Sequence, residues 1–257
     1  MATLTEIARH LDEMLGTATV PDYPPALNGI QVETDDAIVK VAAAVDARER
    51  TIRAAAEAGA NLLLVHHGLF WGGLQPLRGP TRRRIHTLLA ARLALYSSHI
   101  PLDAHPELGN NVLLARELGL TAADGFARYQ GLDIGVAGED TVPTAELIAR
   151  ADAFARRWGG AARHSIAEPG RVTRRWAICT GAGASRETLT EAATRGIDTL
   201  IVGEGPHWTA IDADELGITV IYAGHYATET LGVRALATYV AERWHIPWTF
   251  IDVPTGL

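Results

Sequence analysis

The chain has 257 residues, ten histidines, one cysteine and a formal net charge of −7. This length allows one large domain or two small ones, and the acidic balance disfavours a general binder of nucleic acids or anionic membranes. The single cysteine, Cys179, excludes an internal disulfide and a cysteine-rich zinc site. No apolar run reaches the roughly 18 residues of a membrane span, and the N-terminus lacks a signal-peptide core, so we expect a cytoplasmic protein without a membrane anchor.

The first half of the sequence alternates between helix and strand patterns. MATLTEIARHLDEML has the periodicity of an amphipathic helix, and Thr3 opens it with a capping-box pattern. A proline-rich loop follows. The chain then predicts a strand, a helix and a second buried strand, at Val39 to Val45, Arg48 to Ala58 and Leu62 to Val65. A strand-helix-strand unit of this kind predicts a parallel sheet.

A second copy of this unit follows in WAICTGAGASRETLTEAATRGIDTLIVGEG. Its helix, and the glycine that ends the helix, align with those of the first copy. Gly203-Glu204-Gly205 takes the position of His66-His67-Gly68. Both copies then read Tyr-x-x-His-x-x-x-acid, with Tyr96, His99 and Asp103 matched by Tyr222, His225 and Glu229. We interpret the two copies as a duplication, although two similar units also resemble each other by chance.

These patterns predict an α/β fold, with a duplicated strand-helix-strand core of mixed or parallel sheets and a small inserted α+β subdomain. The composition changes between the copies, where glycines and scattered arginines occur without a convergent set of acids or histidines. We place the first half at 1–124, the insertion at 125–172 and the second half at 173–257, and expect the halves to form one metal-binding core. The insertion is expected to serve interaction or lid formation.

Six polar residues follow strands of the predicted sheet. They are His66, His67, His99, Asp103, His225 and Glu229. Ligands of open α/β folds bind at the carboxyl ends of parallel strands, so all six belong at one sheet edge. A lone histidine there is more often a capping or packing residue, but two adjacent imidazoles both need polar partners. Histidine with carboxylate suits zinc, iron, manganese or cobalt, and carboxylates can bridge two cations. The pattern therefore predicts a metal site.

The charge of such a site indicates its chemistry. Two divalent cations would leave it electropositive, because neutral histidines add no charge and only Asp103 and Glu229 return negative charge. The site would acidify bound water and attract anionic groups such as phosphate. Hydrolysis through metal-bound hydroxide is the reaction that this constellation supports best.

The blocks NGIQVE, VHHGLFW, HIPLDAHPELGNN, GEG and AGHYATE resemble the signature blocks of the YbgI-like dinuclear metal-centre family, over nearly the whole chain. Members of that family are often labelled GTP cyclohydrolase I type 2 homologues. The resemblance implies two metal ions per chain, a bridging glutamate and a homohexameric ring with inward-facing sites. The implied ligands are His66, His67, Asp103, His225 and Glu229, with His99 beside the metals as a supporting residue or proton carrier. The leading hypothesis is therefore a metal-dependent hydrolase that acts on a nucleotide-like or phosphorylated small molecule. The family label narrows this to GTP ring opening, although no residue pattern derived above recognises guanine.

One departure from the family follows Glu204. Gly205-Pro206-His207-Trp208 stands where the family has a small polar residue and an acid, so His207 is a further candidate site residue. Trp71 and Trp208 follow matched strand ends, where they would either wall the site or serve core or interface packing.

Two other patterns are weaker. TGAGAS lacks the third glycine of a dinucleotide-binding turn, which favours a plain tight turn between strand and helix. The run Arg82-Arg83-Arg84 is typical of a solvated helix face, although it would also suit phosphate or an oligonucleotide. No catalytic residue is assigned from sequence.

A second hypothesis for the whole protein is a non-catalytic, metal-containing ring that binds nucleic acid or a regulatory protein partner. The acidic net charge does not favour nucleic acid. A third is metal storage, which predicts exchangeable metal and no defined small-molecule pocket. Release of product from GTP or from phosphoesters by the metal-loaded protein separates catalysis from both alternatives.

Overall fold

The computed structural model describes residues 2–257 and shows two β-sheets with helices between their strands. The chain divides into two compact units. One consists of the residues up to His105 together with Gly232–Val253, and the other of Pro106–Leu231 together with Pro254–Leu257. The predicted α/β fold class is confirmed.

The first unit begins with an amphipathic helix and continues with alternating strands and helices. Its elements are α1 (Leu4–Leu15), β1 (Gly29–Val32), β2 (Val41–Asp46), α2 (Glu49–Glu57), β3 (Leu62–His67), α3 (Gly79–Ala90), β4 (Ala94–Ser97) and the short α4 (Ile100–Asp103). The predicted capping box of α1 is confirmed, because Thr3 and Glu6 exchange side-chain and backbone hydrogen bonds. Strand β3 extends two residues beyond its predicted end and includes both adjacent histidines.

The second unit starts with a short helix and a pair of long strands. Its elements are α5 (Asn110–Glu117), β5 (Ala122–Tyr129), β6 (Leu132–Pro143), α6 (Thr144–Arg157), β7 (Arg163–His164), β8 (Val172–Cys179), α7 (Arg186–Thr194), β9 (Thr199–Val202), α8 (Trp208–Glu215) and β10 (Thr219–Tyr222). Helix α9 (His225–Trp244) begins in this unit and continues into the first, which β11 (Trp248–Phe250) completes.

Each sheet contains the same three-stranded parallel core. The first sheet has the order β1-β4-β3-β2-β11, in which β2, β3 and β4 are parallel and β1 is antiparallel at the edge. The second has the order β5-β6-β8-β9-β10-β7, in which β8, β9 and β10 are parallel. The two copies seen in the sequence therefore fold with the same strand and helix order.

Helices cover the parallel strands, as expected for strands that are apolar along their whole length. In the first unit, Leu63 and Val65 of β3 pack with Ile52 of α2 and Leu88 of α3. In the second unit, helices cover both faces of the sheet. One face packs against α5, α6 and the start of α9, and the other against α7 and α8. Cys179 lies in the latter core, as its apolar strand predicted.

The unit boundaries differ from the predicted ones. The segment predicted as an inserted subdomain at 125–172 contains most of β5, all of β6, and β7, and these strands pair within the second sheet. Its composition changes because β5 and β6 form an antiparallel ribbon, whose exposed positions include Asp124, Arg128, Glu139 and Thr141. Within residues 2–257, no helix is long and apolar enough to span a membrane.

Candidate metal centre

Three imidazoles meet at the carboxyl ends of β3 and β4. His66 and His67 end β3, and His99 immediately precedes α4. Their metal-ligating nitrogens lie within 4.8 Å of one another. The ring centroids are 4.8 Å apart for His66 and His67, 4.8 Å for His66 and His99, and 5.6 Å for His67 and His99. Such a cluster could hold a metal ion.

The other nitrogen of each ring is hydrogen-bonded to an oxygen acceptor. His66 Nδ1 is 3.0 Å from the carbonyl oxygen of Ser98, and His67 Nδ1 is 3.0 Å from Asp46 Oδ1. His99 Nδ1 is 2.9 Å from Asp22 Oδ1. A carbonyl or carboxylate oxygen accepts, so each Nδ1 donates its proton. In a neutral ring the lone pair is then on Nε2, and this arrangement is typical of metal-ligating histidines.

Asp103 adds a carboxylate to the cluster from the end of α4. Its Oδ2 lies 3.5 Å from His66 Nε2, and the His66 side chain is fully buried. Two ligands of one tetrahedral zinc ion lie about 3.4 Å apart when each is about 2.1 Å from the metal. The separation between Asp103 and His66 therefore suits two ligands of a shared cation.

Asp22 supports this cluster and was missed by the sequence analysis. Its Oδ1 accepts from His99 Nδ1 and from the Tyr23 amide, and its Oδ2 accepts from Asn28 Nδ2 at 2.8 Å and from the Ile100 amide at 2.9 Å. Burial acts to raise the pKa of Asp22, but the hydrogen bond and charge of His99, with the other donors, hold it below its ordinary value. Asp22 thus fixes both the His99 ring and the start of α4.

In the second unit, one histidine lies between two carboxylates. His225, at the start of α9, has Nδ1 at 2.8 Å from Glu204 Oε1 and Nε2 at 3.2 Å from Glu229 Oε1. Glu204 follows β9, and the Glu229 side chain is only 4% exposed. Burial alone would lower the pKa of His225, but the hydrogen bonds and charges of Glu229 and Glu204 outweigh it and raise the pKa to about 9.

The turn after β8 is shaped around Glu229. A Cβ on Gly181 would lie 2.2 Å from Glu229 Oε1 and 3.6 Å from His225 Nε2, so a side chain here would displace the carboxylate from its position. Gly181 also has a φ of +61°, which favours glycine. Its amide donates to Thr228 Oγ1 at 3.1 Å. The TGAGAS segment is therefore a tight turn, as favoured from its sequence, that borders the Glu229 carboxylate.

The described structure brings His66, His67 and Asp103 together with His99 in the first unit, and His225 together with Glu229 in the second. These residues, nitrogen and oxygen donors at the carboxyl ends of parallel strands, fit a divalent cation. The carboxylates of Asp22, Asp46 and Glu204 behind the imidazoles add negative charge that the sequence-based charge estimate omitted. The net positive charge of a site with bound cations would therefore be smaller than the sequence alone indicated.

The remaining candidates lie outside these clusters. His207 is exposed just before α8, and Trp208 is partly exposed with the Arg186 guanidinium 5.4 Å from its ring centre. Arg82 and Arg83 are exposed on α3, where Arg83 forms an ion pair with Glu49. Trp71, in contrast, contacts the imidazole cluster edge-on.

Comparison with known proteins shows the family of this chain. Residues 2–256 match the family model described as Duf34/NIF3 (NGG1p interacting factor 3). The chain belongs to this family. A relative from Deinococcus radiodurans, named GTP cyclohydrolase 1 type 2 homolog, is 46% identical over 98% of this chain and 94% of its own length.

Solved structures show the same fold. One described as protein ybgI, of unknown function, has 38% identity and a TM-score of 0.88 over 99% of this chain and 100% of its own. TTHA1606 from Thermus thermophilus has 37% identity and a TM-score of 0.84 over 98% of this chain and 99% of its own. The resemblance to YbgI that the sequence blocks indicated is confirmed.

Proposed function

We propose that this chain is a hydrolase that uses two divalent metal ions per chain and acts on a nucleotide-like or phosphorylated small molecule, in the manner of a GTP cyclohydrolase I type 2. The observation that carries the proposal is the cluster of three imidazoles whose Nδ1 atoms are all hydrogen-bonded to oxygen acceptors. The names of the relatives support the reaction class.

The proposed ligands are those implied by the family resemblance. His66, His67 and Asp103 would bind metal from the first unit, and His225 and Glu229 from the second. The position of His99 against His66 and His67 adds it as a candidate ligand or proton carrier. Zinc, iron, manganese and cobalt all suit this donor set. When bound, such ions supply Lewis acidity, which polarises an electrophile and lowers the pKa of water.

The protein itself contributes orientation and protection. Each of the three rings is held through its Nδ1 by an oxygen acceptor, which belongs to Ser98, Asp46 or Asp22. This hydrogen bond fixes the direction in which Nε2 points. His66 and Glu229 are almost completely buried, which keeps bulk water from competing at these positions. An anionic substrate group would meet the cations directly, whereas the supporting carboxylates of Asp22 and Asp46 lie behind the rings. Short-range attraction therefore favours phosphate.

Elemental analysis and turnover together test the proposal. We expect about two ions per chain and release of product from GTP or from a member of a phosphoester panel. Glu229→Ala should lose metal and turnover, whereas Glu168→Ala, an exposed glutamate of the same unit, should retain both.

A protein that held its metal but released no product from any of these compounds would contradict the catalytic part. That result would favour the non-catalytic ring that binds nucleic acid or a protein partner. Light scattering on the purified protein tests the proposed homohexamer. Cell fractionation tests the proposed cytoplasmic location.

A further inference from the structure

Two aromatic side chains of the first unit lie against the imidazole cluster. The Trp71 ring is 4.7 Å from the His99 ring and 5.5 Å from the His67 ring, at 78° and 83° to them. The Tyr23 ring is 6.2 Å from the His99 ring and 6.4 Å from the Trp71 ring. Tyr23 is nevertheless 50% exposed, so a large part of an aromatic side chain faces solvent beside the proposed ligands.

The segment that carries Tyr23 is held rigidly. The Tyr23 amide donates to Asp22 Oδ1, the same oxygen that accepts from His99. Pro24 and Pro25 follow directly and form a 3-10 turn, Pro24–Ala26. Proline fixes the backbone on the C-terminal side of Tyr23 while Asp22 fixes it on the other. The backbone that carries this aromatic side chain therefore loses little conformational entropy when a ligand stacks on the ring.

Gln31 joins this segment to the one that carries Trp71. Its Nε2 donates to the carbonyl oxygens of Ala26 and Leu27, each at 3.0 Å, and its Oε1 accepts from the Leu69 amide at 2.7 Å. A Cβ on Gly68 would lie 2.1 Å from Gln31 Nε2. Gly68 is thus needed for the close approach, and one side chain sets the distance between the two aromatic segments.

We propose that Tyr23 and Trp71 form an aromatic wall in which the exposed Tyr23 ring stacks on a planar heteroaromatic ring of the substrate and Trp71, tilted 56° to Tyr23, contacts the edge of that ring, with Gln31 as the positioning residue. This rests on the proposed function, because the wall adjoins the same imidazoles. It narrows the proposed substrates, which are nucleotide-like or phosphorylated small molecules, to those that carry such a ring. Aromatic side chains accept any base by stacking, so the wall selects for a ring without choosing among bases.

Binding measurements on the metal-loaded protein test the wall without requiring turnover. Calorimetry with GTP, ATP, inorganic tripolyphosphate and ribose 5-phosphate separates ring, phosphate and sugar. We expect the wild type to bind both nucleotides about tenfold more tightly than tripolyphosphate, the size expected of one stacked base. Tyr23→Leu and Trp71→Leu should remove this preference, and Tyr23→Phe should keep it.

Gln31→Met, which preserves size but removes the three hydrogen bonds, should weaken nucleotide binding while tripolyphosphate binding stays the same. Metal content is recorded for every variant, and Tyr23→Leu should retain the wild-type value because Tyr23 supplies no ligand. Loss of metal from Tyr23→Phe or Tyr23→Leu would overturn the assignment of Tyr23 to substrate recognition.

Equal binding of nucleotides and tripolyphosphate by the wild type, or an unchanged preference in Tyr23→Leu, would also overturn the proposal. So would a loss of ribose 5-phosphate binding in Tyr23→Leu as large as that of the nucleotides, which would assign the wall to the sugar. Hydrolysis of phosphoesters without a preference for a ring would refute only the proposed role of the aromatic wall. A preference for a ring without any turnover would refute only the proposal that the protein is a hydrolase.

Discussion

The two units place different chemistry on the same topology. In the first, β3 and β4 end in three imidazoles, and carboxylates lie behind two of them as hydrogen-bond acceptors. In the second, β9 and β10 lead to a single imidazole between two carboxylates, and a glycine after β8 leaves space for one of these. The edge of the first unit is thus rich in nitrogen donors and the edge of the second in oxygen donors, and both donor types suit borderline cations.

Removal of one donor from each unit should give the largest effects. We expect His67→Ala and Glu229→Ala each to lower metal content from about two ions per chain to about one or fewer, since a lost ligand leaves an incomplete coordination sphere. Elemental analysis after gel filtration measures this. Full metal in Glu229→Ala beside loss in His67→Ala would assign metal binding to the imidazole edge alone and break the comparison.

Asp103→Ala tests the same point within the first unit, where Asp103 Oδ2 lies near His66 Nε2. We expect a loss of metal similar to that of His67→Ala. Glu107→Ala, a control carboxylate shortly after Asp103, should leave the metal content unchanged. Metal retained in both His67→Ala and Asp103→Ala would remove the basis of the proposed centre.

Gly181→Ala should have the next largest effect, on the carboxylate edge. The new methyl would clash with Glu229 Oε1, in addition to the strain of a positive φ. Gly217 has a similar φ of +69° and open space where a Cβ would lie, so Gly217→Ala isolates the strain, about 1–2 kcal/mol. We expect Gly181→Ala to lower the free energy of unfolding more than Gly217→Ala and, unlike it, to reduce bound metal. Equal losses in denaturant titrations would refute the role of Gly181 beside Glu229.

The sequence predicted the parts of the fold and site that depend on local pattern. Apolar runs predicted the paired parallel strands, and the residues that follow them, such as His67 and His225, lie at the expected strand ends. The hydrogen-bond acceptors that hold these residues in place were not predictable, because they come from distant segments of the chain. Asp22 is 77 positions from His99, and nothing in PDYPP distinguishes an acceptor for imidazole from a loop aspartate.

The unit boundaries differ from the predicted ones for a related reason. Helix α9 is long enough to pass from one unit into the other, and β11 then pairs in parallel with β2, close to the opposite end of the chain. Local composition carries no signal of such a return. It does reveal the change at 125–172, but strand pairing, which decides where that segment belongs, is a tertiary property.

Asp22→Asn and Asp46→Asn compare two supports within the imidazole edge. The Asp22 side chain is 7% exposed and accepts four hydrogen bonds, whereas the Asp46 side chain is 31% exposed. Loss of such a support lowers metal affinity about 10- to 100-fold. We expect Asp22→Asn near the upper limit and Asp46→Asn near the lower, as measured by chelator competition. A larger effect of Asp46→Asn would show that burial does not determine which of the two aspartates contributes more to metal affinity.

The smallest effect concerns the helices that follow the first strand of each parallel core. Ser185 caps α7, since its Oγ accepts from the Thr188 amide while its own amide donates to Thr188 Oγ1. The N-cap residue of α2, Arg48, makes no such side-chain hydrogen bond. Ser185→Ala should lower the free energy of unfolding by about 1 kcal/mol, and Ser185→Asp should retain the cap. Both should keep their metal, because the cap fixes only where the helix starts. Metal loss in Ser185→Ala alone would show that the turn after β8 needs this cap to hold Gly181 against Glu229, and the helix start would then belong to the carboxylate edge.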